Sequence, residues 1–389
     1  MTKKTVRDVQ VAGWQTLVRV DFNVPIKEGK VRDDTRIRAS LPTIQYLIDQ
    51  GAMTALCSHL GRPKGVDPAL SLAPVAEHLG TLLGKPVRFA ADCVGPLAEN
   101  AVAELKPGEV ALLENTRFHP EEEKNDPAFA QRLAMLAKIY VDDAFGSAHR
   151  AHASTEGVAH YLPAVAGFLM EEEIEYLDRA ANHPDHPYVV ILGGAKISDK
   201  IGVIRNLLHK ADRVLIGGGM ANTFFRAQGL KTGDSLVEPE SVPEARQLLE
   251  EAKDRLGLPE DVVIAQEAKV EAARREMAVG DIPDGWKILD IGPRTVKRYA
   301  EALRGTRLVV WNGPMGMFEV APFAKGTEGL ARAVAGSGAT TIVGGGDSVA
   351  AIAQFGLTDK ITHISTGGGA SLEFLEGKIL PGVAILQDR

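Results

Sequence analysis

Short β-branched apolar runs alternate along this chain with longer stretches whose apolar residues recur every three or four positions. Those two periods mark strands and helices. Tyr188–Leu192 is one such run, ended by Gly193-Gly194 and followed by Lys196 and by Ile197, Ile201 and Ile204 at helical spacing. The same succession of strand, loop and helix start recurs throughout. In the first half, strands are predicted from Leu17 and over 52–58, 86–90, 109–113 and 139–141. Helices are predicted from Thr35 as N-cap to Gly51, over 71–83 and over 128–138. The second half reads as strands over 188–192, 213–216, 261–265, 287–289, 308–311, 340–343 and 362–365. This alternation calls for α/β architecture, with mostly parallel sheets covered by helices on both faces.

At 389 residues, the chain is longer than one core usually supports, so two domains are expected. The segment between them is read at 168–187. Its helix over 168–181 is acidic, with Ile174 and Leu177 as apolar contacts, and an Asn-His-Pro-Asp-His-Pro stretch breaks it. It reads as a rigid spacer between a domain over 1–167 and a domain over 188–371.

Lys and Arg total 44 against 51 Asp and Glu, a net charge of −7, which speaks against nucleic acid as a partner. The first residues lack an apolar signal core, and no apolar run approaches the roughly 20 residues of a membrane span. A cytoplasmic location without membrane contact is expected. Cys57 and Cys93 show no CxxC spacing and no adjacent His or Cys, so both read as buried thiols.

Charge is distributed unevenly. Four predicted strands of the first half end in loops carrying Asp21 and Asn23, His59 and Arg62, Arg117 and His119, and His149 and Arg150. Arg36 and Arg38 lie in the first turn of a helix, where a cation opposes the dipole. Ligands of open α/β sheets bind beyond the carboxyl ends of strands. Arginine clamps phosphate or carboxylate through two hydrogen bonds. These loops therefore predict a pocket for a small phosphorylated acid.

Strands of the second half run instead into glycines: Gly193-Gly194, Gly217–219, Gly292, Gly313, Gly344–346 and Gly367–369. Successive N–H groups at such turns form anion-binding nests. Asp347 stands at the mouth of one, where it could ligate Mg²⁺ beside phosphates. No loop completes a Walker A sequence or GxGxxG. The repeated glycine turns point to a nucleotide polyphosphate.

RVDFNVP, HLGRP, ENTRFH, DAFGSAHR, GGAKISDK, GGGM, DIGP, WNGP, GGGDS and STGGGASLE resemble the phosphoglycerate kinase family, in its order and spacing, from about Arg19 to the C-terminus. Departures are minor, such as Met315, Met317 and Ser348. The resemblance implies two doubly wound Rossmann-like domains, the first completed by residues 372–389, and a monomer. It implies that Asp21, Asn23, Arg36, His59, Arg62, Arg117 and Arg150 hold 3-phosphoglycerate or 1,3-bisphosphoglycerate, with His149 close by. Lys196, Lys200, Asn312, Glu319 and the loop of Gly345, Gly346, Asp347 and Ser348 would hold ADP or ATP with Mg²⁺. Backbone at Gly194, Ala195, Gly218, Gly219 and Gly292 is expected along the same nucleotide.

The expected reaction moves a phosphoryl group reversibly between an acyl phosphate and ADP, after hinge closure. Both nucleophiles are ionised at neutral pH, so no general base is needed. Arg36, Lys196 and the N–H groups of Gly367, Gly368 and Gly369 are expected to neutralise the transferring group. Three rivals stand beside this reading: another phosphotransferase with a different acid, a silent nucleotide-binding protein, and an oxidoreductase, which the missing GxGxxG disfavours.

Overall fold

The apolar runs form strands where helices cover both faces. The computed structural model describes residues 2–389. It divides into one unit of residues up to Glu175 together with Ile379–Arg389, and a second unit of Tyr176–Lys378.

The first unit contains Gln15–Arg19 (β1), a small hairpin of Ile26–Lys27 (β2) and Lys30–Val31 (β3), Met53–Cys57 (β4), Val87–Ala90 (β5), Val110–Leu113 (β6), Ile139–Asp142 (β7) and Ala164–Ala166 (β8). Six of these form one sheet in the order β5-β6-β4-β1-β7-β8, every pair parallel. Helices Thr35–Asp49 (α1), Ala73–Leu83 (α2), Pro96–Ala103 (α3) and Pro127–Ala134 (α4) connect them. Ile37, Ile44 and Leu47 of α1 pack with Val75 and Leu79 of α2 and the strand residues Val18, Leu56, Leu112 and Val141. The chain leaves β1 for β4 on one side and reaches β7 on the other, so the strand order reverses at β1. The loops after β6, β4, β1 and β7 are therefore neighbours at one edge.

Helix α3 and strand β8 lie outside the sequence reading, and among the boundaries that differ from it, two have a visible cause. Asp34, not Thr35, holds the cap position of α1, because Asp33 accepts hydrogen bonds from the Thr35 N–H (2.9 Å) and hydroxyl (2.6 Å). Helix α4 stops at Ala134 rather than Lys138. The Lys138 N–H is drawn instead to the Gln15 carbonyl at 2.9 Å, which feeds the chain into β7.

Helix Phe168–Asn182 (α5) crosses from one unit to the other. Besides Ile174 and Leu177 it buries Met170, Ala180, Ala181 and the acid Glu173. It is therefore a packed helix rather than a solvated rod.

The second unit contains Tyr188–Leu192 (β9), Arg213–Ile216 (β10), Leu256–Gly257 (β11), Asp261–Ala265 (β12), Arg274–Ala278 (β13), Lys287–Ile291 (β14), Leu308–Asn312 (β15), Thr340–Gly344 (β16) and His363–Ile364 (β17). Its helices are Ile201–Leu208 (α6), Met220–Ala227 (α7), Val242–Ala252 (α8), Pro293–Ala302 (α9), Lys325–Ala335 (α10), Gly346–Gln354 (α11) and Gly369–Leu375 (α12). The parallel sheet runs β11-β10-β9-β15-β16-β17. Its core joins Val189, Ile191, Val309, Trp311 and Val343 to Tyr299, Leu330 and Ile352 on the helices. Strands β12 and β14, expected in that parallel sheet, instead join β13 in a separate antiparallel sheet of order β13-β12-β14, with β12 central. Strand β13 has no apolar alternation and faces mostly solvent, so the sequence pattern does not show it. Among the described residues, no helix is long and apolar enough to cross a membrane.

Candidate active site

In the first unit, the loops after β6, β4 and β1 are laced together by main-chain bonds to their polar side chains. The Asn23 Oδ1 accepts the Gly61 N–H at 3.0 Å, and the Arg117 guanidinium donates to the Gly61 carbonyl at 2.7 Å. Asn115 accepts from the N–H groups of Leu60 and Arg117, both at 3.1 Å, and donates to the Leu60 carbonyl at 2.8 Å. These clamps tie the three loops to one another, and the Arg117 guanidinium is held before any ligand arrives.

Arg36 extends from the start of α1 to Asp21, with Nη1 at 3.1 and 3.2 Å from the two carboxylate oxygens and 3.4 Å from the Asn23 carbonyl. Arg150, half-buried after β7, donates to His149 Nε2 at 3.1 Å. His59 is buried at the end of β4, and Arg19 faces its Nδ1 at 3.0 Å. Burial, followed by the charges of Arg19, Arg117, Arg150 and Arg36, holds the His59 pKa well below the ordinary imidazole value. Burial and the same arginines except Arg36 push His152 down to about 4. The region is thus a cationic cluster with neutral histidines, suited to an anion carrying several charges. Arg62 is exposed and makes no hydrogen bond or ion pair among the described residues, leaving its fork for a ligand. His119, expected with Arg117, turns away to Asp92 at 2.7 Å.

In the second unit, a cavity of about 510 Å³ opens at the carboxyl ends of the parallel strands. Its lining combines Gly194, Ala195, Gly218, Gly219 and Asp347 with the apolar side chains of Phe225, Leu236, Leu289 and Met317, and Glu319 also lines the wall. Glycine is required where the turns touch. Gly218 has φ +67°, and a Cβ there would lie 2.6 Å from the Gly194 nitrogen. Met315 fills the space beneath, where side chains at Gly193 or Gly217 would strike its Cε or Sδ. Glycine backbone together with apolar walls matches a ligand that carries both a phosphate chain and a base.

Lys200 is buried and donates to the carbonyls of Gly193 (2.5 Å) and Asn312 (3.3 Å). Burial lowers its pKa to about 8, against the opposing charges of Asp199 and Asp347. Asn312 ends β15 beside Gly345, whose added Cβ would sit 3.0 Å from the Asn312 amide nitrogen. Ser348 is buried, and its hydroxyl accepts the Gly313 N–H at 2.5 Å, tying the start of α11 to the β15 turn. Gly346 opens α11 after Gly345, which has φ +89°.

Lys196 is exposed on a loop that Glu238 pins by accepting from the Ser198 N–H (3.1 Å) and hydroxyl (2.5 Å). Gly367 donates to the Ser365 hydroxyl at 3.2 Å, Gly368 has φ +53°, and Gly369 opens α12. Gly292 starts α9 next to Ile291 of the cavity wall. It does not line the cavity itself, and Asp261 occupies the space beside it.

Asp347 is exposed in the first turn of α11. Among the described residues, no second carboxylate, His or Cys joins it in a group of three possible metal ligands. A single carboxylate fits Mg²⁺, which keeps several waters and takes its remaining ligands from substrate phosphates. Sequence reasoning missed Arg19 and the apolar cavity wall. A basic residue inside a buried strand pattern is the signal that could have flagged Arg19.

The family model described as phosphoglycerate kinase matches residues 6–378. The phosphoglycerate kinase of Moorella thermoacetica is 61% identical over 393 residues, covering 100% of both chains. That of Chloroflexus aurantiacus is 62% identical over 398 residues, also covering 100% of both. The solved phosphoglycerate kinase structure from Coxiella burnetii superposes with a TM-score of 0.91 at 43% identity, covering 98% of each chain.

Proposed function

The chain belongs to the phosphoglycerate kinase family, and from that premise we propose how its residues divide the reaction. The enzyme is a phosphotransferase with a carboxyl acceptor, moving a phosphoryl group reversibly between 1,3-bisphosphoglycerate and ADP to give 3-phosphoglycerate and ATP. The residue roles rest on one observation: arginine-bearing loops and glycine turns each occupy contiguous strand ends, one set per unit.

Asp21, Asn23, Arg36, His59, Arg62, Arg117 and Arg150, with His149 beside them, bind the phosphoglycerate. The mutual clamping of their loops supports this reading. Gly194, Ala195, Lys200, Gly218, Gly219, Asn312, Glu319 and the 345–348 turn bind the nucleotide, and Gly292, outside the cavity, supports its wall at Ile291. Asp347 would hold Mg²⁺, which when bound would offset charge on the nucleotide phosphates. Lys196 and Arg36 neutralise the transferring group's oxygens, and the N–H groups at 367–369 add donors.

No side chain needs to take a proton, because the attacking carboxylate and the ADP oxygen are already ionised. Catalysis is positioning and charge neutralisation. Water must also be kept from the acyl phosphate, which it would hydrolyse, and residues 168–187 are proposed as the hinge that permits closure. The domain over 1–167, completed by the C-terminal tail, holds the acid, and the domain over 188–371 holds the nucleotide. A monomer in the cytoplasm, with neither membrane nor nucleic acid as partner, completes the reading. Calorimetric titration with 3-phosphoglycerate and with ADP tests the division: Arg117→Ala should lose the first and keep the second.

A further inference from the structure

Arg19 belongs to no ligand set proposed above, yet it is one of the largest fully buried side chains. Every branch of its guanidinium is committed. Nε donates to the Ser154 hydroxyl at 2.8 Å, Nη1 to the Val20 carbonyl at 2.5 Å, and Nη2 faces His59 Nδ1 at 3.0 Å. Ser154 is itself anchored, since its N–H and hydroxyl reach the Glu122 carboxylate at 2.9 and 2.5 Å. Tyr140 adds a bond to the Ser154 carbonyl at 2.8 Å. The guanidinium therefore cannot swing aside to accommodate a different state of the imidazole.

A guanidinium has only donors. The ring nitrogen facing it must offer a lone pair, so the imidazole proton sits on the other nitrogen. We infer that Arg19 is a positioning residue that fixes the His59 ring as the Nε2–H tautomer. His59 Nε2 makes no hydrogen bond among the described residues. An imidazolium would turn a second N–H against Arg19 and add a charge beside Arg36, Arg117 and Arg150, so the ring stays neutral.

Taking His59 as a ligand of the acid, as proposed above, this has a consequence for recognition. The site presents a neutral, directional donor among full charges. It accepts a carboxylate or phosphate oxygen and rejects a group that must itself donate. Binding then proceeds without proton uptake at this ring.

Two-bond ¹H–¹⁵N correlation on the ligand-free protein, with the His59 signals assigned from His59→Gln, reads the tautomer directly. The expected result is a bare Nδ1 and a protonated Nε2, unchanged over roughly pH 5.5 to 8.5. A protonated Nδ1, or titration near the ordinary value of about 6.5, overturns the inference. Arg19→Met should mix the tautomers and raise the KM for 3-phosphoglycerate by ~10-fold with little change in kcat, and Arg19→Lys should restore both. If the Arg19 variants fail to fold, Ser154→Ala releases the guanidinium on one side only and should partly mix the tautomers. An unmixed ring in a folded Arg19→Met protein counts against Arg19.

The substrate role is tested separately. Gln places an amide donor near the Nε2 position and Asn near the Nδ1 position, so both variants should raise the KM, His59→Asn by ~10-fold and His59→Gln by less. Equal KM values for both variants and the parent would reject His59 as a ligand, while the tautomer measured in the free protein would still decide the role of Arg19.

Discussion

The Lys200 ammonium donates to the main-chain carbonyl of Gly193 at 2.5 Å, closing a buried cation onto the turn that ends β9. Its folded pKa of about 8 lies below the ordinary 10.5 because burial disfavours the charge. Below pH 8 both folded and unfolded chains are protonated, and the folded state bears the full cost of the buried charge. As pH rises from about 8 towards 10.5 the folded state sheds its proton first, the unfolded chain binds more protons, and this group's contribution to stability rises.

Lys200→Met should therefore raise the Tm of the ligand-free enzyme at pH 7 and weaken ADP binding by ~10-fold or more. The gain in Tm should shrink towards pH 10. Calorimetry in both modes checks this, and a lower Tm at pH 7 would show that the ammonium's hydrogen bonds outweigh its desolvation.

Lys196 is exposed, and no hydrogen bond or ion pair ties its ammonium to the rest of the chain. Lys196→Ala should leave stability unchanged and lower kcat by ~10³ with little change in KM, as for a contact made mainly in the transition state. Steady-state kinetics decides, and a drop under about tenfold removes Lys196 from the transition state.

Arg62 shares that exposure but is assigned to ground-state binding. Arg62→Ala should raise the KM for 3-phosphoglycerate by ~10-fold or more, with the Tm moving little, since no folded contact is lost. An unchanged KM rejects it as a ligand.

Gly218 holds φ +67°, and an added Cβ would lie 2.6 Å from the Gly194 nitrogen and 2.8 Å from the Pro314 carbonyl oxygen. Gly218→Ala imposes strain of order 1–3 kcal/mol and forces the two glycine turns apart. ADP binding should fall sharply while 3-phosphoglycerate binding persists. Titration of the variant with each ligand separates the two, and undiminished ADP affinity would move the phosphates elsewhere.

Much of this was legible because its cause is local. Strands such as Tyr188–Leu192 are buried along their length and so read as unbroken apolar runs. Glycines at 194, 218 and 345 mark turns whose positive φ only glycine adopts cheaply. Less local features stayed hidden. Strand β13 pairs through its backbone while its side chains face solvent, so no hydrophobic period announces it. The end of α4 is set by a hydrogen bond from Lys138 to Gln15, far away in sequence. Arg19 reads as one more polar position, and its role depends on Ser154, 135 residues further on. His119 fits the basic-loop pattern yet pairs with Asp92, since position in a loop does not fix side-chain direction.

Direct phosphoryl transfer between ATP and 3-phosphoglycerate is read most plainly in a coupled assay containing both with Mg²⁺, following formation of the acyl phosphate. Turnover should vanish when the acid or Mg²⁺ is omitted, and Asp347→Asn should raise the Mg²⁺ concentration needed for half-maximal rate. No turnover from a folded enzyme that binds both ligands by calorimetry would contradict direct transfer.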